Sequence, residues 1–401
     1  MTTKIKGVAR KAAAVFYALV MIEVIVMISP FAFYWYSFYS PTLQTLHRSR
    51  WTAWLECFIL PHSVITQSTF LEFFRWGAGP YLFSLGILGF LVCALQIYTT
   101  KLRKKGLVTG GVYRYIRHPQ YLSLSLAGLG LLTFWPRMII FVLYLFMLTA
   151  YYFLARSEER RLLKQDPKYK RYYGQTAMFI PGNPGGKLFR LIFGGLRNQT
   201  LARGLGVALI LIISLATGFA LRAYTIASAE KVSIPEAKTL AISGWPQGQA
   251  TIERMVRLAL DKTSIRNRLE AEGAGSYTAH LLPADYGMTN MFTDLEGDPQ
   301  MWSARRMGRF GRALVGFLFP FAAPDLKTRI MGGPMDRYRL VFSRVDGPGQ
   351  AWLPLSRVTE AGAKMTAVVV VDIDAAKNQI DKIILDPPRR SFWGDITMPM
   401  F

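Results

Sequence analysis

The 401-residue chain is 51% hydrophobic and only 18% charged, and it carries a formal net charge of +23. That is too apolar for an ordinary soluble protein of this length, so the composition points to a bilayer. The positive charge sits beside apolar runs, where it meets lipid phosphates, and no nucleic-acid-binding motif accompanies it, so a nucleic-acid partner is excluded from the reading.

The charge is uneven along the chain. Residues 1–224 hold 26 Lys+Arg and 6 Asp+Glu, whereas residues 225–401 hold 22 and 19. Apolar runs long enough to span about 30 Å of hydrocarbon are expected near 12–38, 79–99, 120–135, 137–155 and 204–222, which predicts about five spans. A shorter run at 51–60 contains Glu56 and two tryptophans and reads as an interfacial or re-entrant helix. The basic loops 1–11, 100–118 and 156–203 belong on the cytoplasmic side by the positive-inside rule. The third and fourth spans would form a tight hairpin turning near Trp135-Pro136, and the last span would export everything after about Tyr224. Glu23, inside the first run, is an intramembrane ionisable residue and a candidate for helix packing or a substrate path.

Residues 182–202 read as a linker with a short membrane-surface segment at 188–196. Beyond 225 the composition is that of a globular α+β domain: an amphipathic helical stretch at 252–272, alternating β-type runs at 338–345 and 365–374, and a hairpin continuing to 380–385. The expected fold is thus an α-helical transmembrane bundle followed by a C-terminal α+β soluble domain. Its divisions are 1–77 (N-terminal anchor and interfacial helix), 78–181 (three spans with cytoplasmic loops), 182–224 (linker and last span) and 225–401. Cys57 and Cys93 have neither disulfide-framework nor zinc spacing. Asp372 and Asp374 have Asp-x-Asp spacing, but on a β-run such a pair reads first as an exposed strand face, and no metal site is assigned. His280, Asp285 and Asp294 form no recognisable catalytic order.

The chemistry is concentrated in residues 105–121, KGLVTGGVYRYIRHPQY, a polar, glycine-bearing loop that runs straight into an apolar segment. Its Arg117-His118-Pro119-Gln120-Tyr121 element is followed by Glu158-Glu159 at the end of the next apolar run, then by Tyr169, Tyr172 and Met178-Phe179-Ile180-Pro181. Over about residues 80–181 this ordered set resembles the isoprenylcysteine carboxyl methyltransferase and phospholipid methyltransferase superfamily. One departure is Asp166-Pro167, where many members have Phe-Gly. Taken singly, Arg114 and Arg117 also read as positive-inside anchors, the tyrosines as an aromatic belt, and the Glu pair among Arg156, Arg160 and Arg161 as a solvated ionic cluster.

The resemblance implies an S-adenosylmethionine-dependent membrane methyltransferase. On it, Leu107, Val108 and Tyr113 wall the adenosine side, His118, Pro119, Gln120 and Tyr121 touch the cofactor, Lys105 joins the same set, and Glu158 takes the cofactor's polar groups. Arg156, with an anion-binding fork, and Glu159 are the catalytic candidates. Neighbouring helix residues diverge by about 100°, so one glutamate is expected to face the pocket and the other the basic surface. The implied acceptor is amphiphilic or lipid-like: an isoprenylcysteine carboxylate, a phospholipid amine or a thiol. Alternatives are an NADPH-dependent membrane reductase of related architecture and a non-catalytic sensor that presents the C-terminal domain. The expected location is multi-pass in a bacterial inner membrane, with the bilayer as partner and the C-terminal domain extracytoplasmic.

Overall fold

The structure, a computed structural model, describes residues 45–62, 65–103, 107–273, 275–283, 315, 319, 336–348 and 352–387. The expected first span 12–38 with Glu23, and also Lys105, Asp285 and Asp294, lie outside the described residues.

A one-turn helix, Thr69–Glu72, is capped by the Ser68 hydroxyl, which accepts from the Leu71 amide. It passes through a π-helical stretch, Phe73–Ala78, into α1, Gly79–Leu102. Helix α2, Pro119–Phe134, starts with proline at its first turn, where the missing N–H costs nothing. Helices α1 and α2 touch backbone to backbone. A Cβ at Gly86 would lie 2.4 Å from the Ala127 nitrogen, and one at Gly130 would lie 2.3 Å from the Phe83 nitrogen. Only glycine permits so close an approach, and dispersion over the contact is what holds apolar helices together in lipid. The chain turns at Trp135-Pro136-Arg137 into α3, Met138–Gln165, then α4, Pro167–Gln175, the surface helix α5, Pro184–Phe193, and α6, Gln199–Ser228.

Among the described residues three helices are long and apolar enough to cross a membrane: Thr69–Thr100, Met138–Gln165 and Gln199–Ser228. They cover the second, fourth and fifth expected spans. The third, α2, has 16 residues, about 24 Å of helix, which falls short of the hydrocarbon thickness. Residues 51–60 differ from expectation too. They form only a 3₁₀ turn, Ala53–Glu56, followed by extended chain. Pro61 blocks helix continuation, and the backbone finds partners on the hairpin tip instead: the Ile59 amide donates to the Pro136 carbonyl at 2.8 Å and the Met138 amide to that of Cys57 at 2.8 Å. Cys57, Phe58, Ile59 and Leu60 are thereby buried against Leu71, Trp135 and Met138 rather than laid on a surface.

Beyond α6 lies a six-stranded sheet: β1, Lys231–Ile234; β2, Thr239–Ser243; β3, Tyr277–Pro283; β4, Arg337–Asp346; β5, Lys364–Asp374; and β6, Gln379–Leu385. The strands lie in sequence order. All neighbours are antiparallel except β2 and β3, which are joined by a crossover of two helices, α7, Gln249–Leu260, and α8, Thr263–Glu272. Ile252, Val256, Ala259 and Ile265 of these helices pack on Ala241, Ala279, Leu281, Leu340, Phe342 and Val369 of one sheet face. The expected helical stretch at 252–272 is thus two helices, and the expected β-runs and closing hairpin are β4, β5 and β6. Asp372 pairs with Arg339 at 2.7 Å, and Asp374 accepts from the Lys377 amide at 2.9 Å, which gives both carboxylates structural partners.

Candidate active site

The site is assembled where the loop before α2, the last turns of α3 and the segment after α4 meet. Ile116 forms a parallel bridge with Ala177. Next to it the Arg117 amide donates to the Ala177 carbonyl at 2.9 Å and the His118 amide to that of Met178 at 3.1 Å. These bonds fix the entry into α2, and Pro119 starts the helix, so the His118 side chain is held at its mouth. Upstream, Gly111 adopts φ +60 and lies against Gln96, whose Nε2 donates to the Gly110 carbonyl at 2.6 Å. The turn that follows buries Tyr113. The Tyr113 hydroxyl donates to Gln120 Oε1 at 3.1 Å, and the Tyr172 hydroxyl donates to the Tyr113 carbonyl at 2.6 Å. Burial raises the Tyr113 phenol above the usual tyrosine range and pushes Tyr172 up to about 12, so both stay protonated and act as donors.

Helix α3 presents Tyr151, Ala155 and Glu159 at i, i+4 spacing as a buried stripe. Tyr151 stacks on Tyr121 with ring centroids 5.1 Å apart. Glu159, 2% exposed at its side chain, accepts from Arg117 Nε at 2.6 Å. Arg117 also donates to the carbonyls of Tyr173, at 3.0 Å, and Thr176, and lies over the Tyr173 ring at 4.2 Å. His118 sits between the glutamates: Nε2 is 3.4 Å from Glu159 Oε1 and Nδ1 is 3.7 Å from Glu158 Oε2. Both imidazole nitrogens and Glu159 Oε2 are buried without a hydrogen-bond partner. Buried polar atoms of this kind cost free energy unless something satisfies them, and their clustering at one helix mouth marks a place for a polar ligand.

The structure thus gathers His118, Pro119, Gln120, Tyr121, Tyr113, Glu158 and Glu159. Leu107 and Val108 are half-buried on the loop before Gly111. Arg156 is half-buried, three residues before Glu159, and forms no ion pair among the described residues. The glutamates do not divide as expected, since both reach His118; the contrast between them is burial, with Glu158 29% exposed at its side chain. Arg117 is the residue that sequence reasoning undervalued, because a lone arginine at a helix end looks like a membrane anchor. The i, i+4 stripe Tyr151, Ala155, Glu159 was the available signal for the inner glutamate. Asp166-Pro167 is a helix start: Asp166 Oδ1 accepts from the Lys168 amide at 2.8 Å and proline occupies the first turn of α4.

Searches of curated proteins and of solved structures find no match. A family model does match, that of the phospholipid methyltransferases, over residues 83–169, which contain α1 in large part, the loop, α2, α3 and the start of α4. The matched segment holds Tyr113, His118, Pro119, Gln120, Tyr121, Glu158 and Glu159, while the 172–178 segment that closes the site lies beyond it; the family it is similar to is part of the isoprenylcysteine/phospholipid methyltransferase superfamily.

Proposed function

We propose that the chain is an integral-membrane methyltransferase that uses S-adenosylmethionine to methylate an amphiphilic or lipid-like acceptor. The observation that carries this reading is His118 between Glu158 and Glu159, with buried unsatisfied polar atoms, inside the segment matched to the family. The residues fit such a cofactor. Its cationic and hydroxyl groups need anionic acceptors, which Glu158 and Glu159 supply; its adenosine needs an aromatic wall, which Tyr113 and Tyr121 supply. Bound there, the cofactor provides an electrophilic methyl group that requires no metal.

The chain's own contribution is positioning. Arg117 clamps Glu159 against the 173–178 segment, so the carboxylate is oriented before any ligand arrives. Gln120, fixed by the Tyr113 hydroxyl, and Pro119 shape the floor of the mouth. Arg156, exposed enough to meet a headgroup and one turn from Glu159, is the residue for an anionic group on the acceptor. Because α3 carries this polar mouth at the end of an apolar helix, an acceptor can keep its tail in lipid while its head reaches the site. We place the protein as multi-pass in an inner membrane with the site on the cytoplasmic side, a reading supported by the basic loops 100–118 and 156–203.

Isothermal titration of S-adenosylmethionine into detergent-purified protein tests this. Wild type is expected to bind, and His118→Ala and Glu158→Ala to lose binding at least about tenfold, the cost of about 1.4 kcal/mol for one lost polar contact. Absence of binding by folded wild type, or a preference for NADPH, overturns the proposal in favour of a sensor or a reductase.

A further inference from the structure

A second polar centre is buried at the other end of the bundle. From Met138 to Glu159 helix α3 climbs about 30 Å, so the hairpin tip and the His118 cluster sit a bilayer thickness apart. Three arginines converge near that tip from separate elements: Arg75 from the π-helical stretch, Arg137 from the turn between α2 and α3, and Arg222 from the end of α6. They are 4%, 2% and 8% exposed. Each holds one loop carbonyl: Arg75 that of His62, Arg137 that of Glu56 at 2.9 Å and Arg222 that of Thr359 at 2.6 Å. Arg137 and Arg222 have much donor capacity left. Neither forms an ion pair among the described residues, and the Nε of each is buried without an acceptor.

The surroundings favour an anion. Arg137 holds the Glu56 carbonyl and Thr225, about one turn after Arg222 on α6, donates to the Ile59 carbonyl at 3.2 Å, so both arginines flank the 56–59 segment; burial pushes the Cys57 thiol up, and Arg222, which also hydrogen-bonds it, then Arg137, pull it back. Arg137 also lies over the Phe58 ring at 4.6 Å. His62, stacked on Phe58 at 4.5 Å, adds no competing charge: burial first, then Arg75 and Arg137, holds it well below the usual histidine range and therefore neutral. Glu56 and Glu360 lie near enough to act on Arg137 and Arg222 through space, but their close contacts are with other side chains. Glu56 meets His47 at 3.1 Å, and Glu360 accepts from Arg357 at 2.7 Å. A π-helical stretch is uncommon and often lies at functional sites, and this one delivers Arg75 to the cluster. Buried cations with unfilled, planar donor sets are the usual means of holding tetrahedral oxyanions.

We propose that this centre is an anion-binding site in which Arg137 and Arg222 hold a phosphate-type group, supplied either by a lipid headgroup of the distal leaflet or by free phosphate. Because Arg222 also holds Thr359, between β4 and β5, an anion bound here links the bundle to the sheet domain. The site stands apart from the methyl-transfer reading and does not depend on it.

The test is the unfolding temperature of full-length, delipidated protein in neutral detergent. One arm adds low-millimolar inorganic phosphate against chloride at equal ionic strength; the other adds short-chain phosphatidylglycerol against a short-chain diacylglycerol. Ligand binding to the folded state is expected to raise the midpoint by several degrees in one arm, and Arg137→Gln and Arg222→Gln to abolish the rise. A rise with inorganic phosphate identifies the free anion, and a rise with the phospholipid alone identifies the headgroup. Should the glutamine variants fail to fold, Arg222→Lys keeps the charge while losing the Nε donor and is expected to show a reduced rise. No rise in either arm, or the same rise in a folded variant, overturns the proposal and leaves the arginines as clasps for loops.

Discussion

Arg117 and Glu159 form the pair on which the candidate site's geometry rests. Their side chains are 8% and 2% exposed and meet at 2.6 Å. A pair this buried gains little over apolar residues of the same volume, because desolvation offsets the attraction, but breaking it strands a charge. Arg117→Gln should therefore destabilise the protein by about 3–5 kcal/mol and weaken S-adenosylmethionine binding, since the 173–178 segment and Glu159 lose their common anchor. Arg117→Lys should recover part of the stability, because it keeps the charge without the fork that spans carboxylate and carbonyls. Denaturant titration of both variants decides this; equal stability of wild type and Arg117→Gln would show that the carboxylate is solvated despite its position. The Arg-His-Pro-x-Tyr element and the glutamate pair were legible at this scale because their spacing survives in one dimension. The role of Arg117 was not, because it depends on Tyr173 and Thr176, carbonyl acceptors some sixty residues away that no side-chain pattern announces.

Elements were legible where local chemistry and tertiary context agree. The turn at Trp135-Pro136 was legible because proline ends α2 locally, whereas Asp166-Pro167, seen in the sequence only as a departure, turns out to start α4. Residues 51–60 misled because the Ile59 amide and the Cys57 carbonyl pair with the hairpin tip, a partner outside the segment. The alternation in β4 and β5 was plain, and register then fixes what each face carries. On β3 it sets His280 opposite Ile242 and Val341, on the face away from α7 and α8. Burial there lowers its pKa from the ordinary 6.5 to about 4, with Nε2 lacking a hydrogen-bond partner. The folded state keeps this histidine neutral while the unfolded chain takes a proton first as pH falls. Stability is complete above about pH 6.5 and declines on acidification towards pH 4, by about 3 kcal/mol at most. His280→Gln should flatten that decline whatever it does to stability at pH 7. Denaturant unfolding of the protein at pH 7 and pH 4.5 reads the slope, and an unchanged slope in the variant would assign the acid sensitivity to another group.

The whole molecule is organised by a charge asymmetry that the sequence shows directly: no acidic residue occurs between Asp166 and Glu230. That stretch includes α5, which exposes Leu188, Leu191 and Ile192 beside Lys187 and Arg190 and so suits an anionic headgroup layer. What the sequence did not show is how the two halves join. The segment after the 3₁₀ turn runs between them, with the Ile65 amide on the Gly244 carbonyl at 2.8 Å and the Gln67 amide on that of Ser228 at 3.3 Å. Those partners are about 160 residues or more downstream, so no local pattern encodes them. Since α6 leads from the basic face directly into β1, the orientation of one span fixes the side of the sheet domain. On the proposed topology Lys377, in the exposed turn between β5 and β6, and Arg171, on α4, lie in opposite compartments. With Cys57 and Cys93 buried, single Lys377→Cys and Arg171→Cys variants in intact cells should divide cleanly: a membrane-impermeant maleimide should label the first, and the second only after permeabilisation. The reverse pattern would put the His118 cluster outside the cytoplasm, away from any cytoplasmic supply of cofactor, and would count against both the proposed topology and the methyl-transfer reading. Labelling of both in intact cells would mean that α6 does not cross, leaving the apolar helix to be covered by protein instead of lipid.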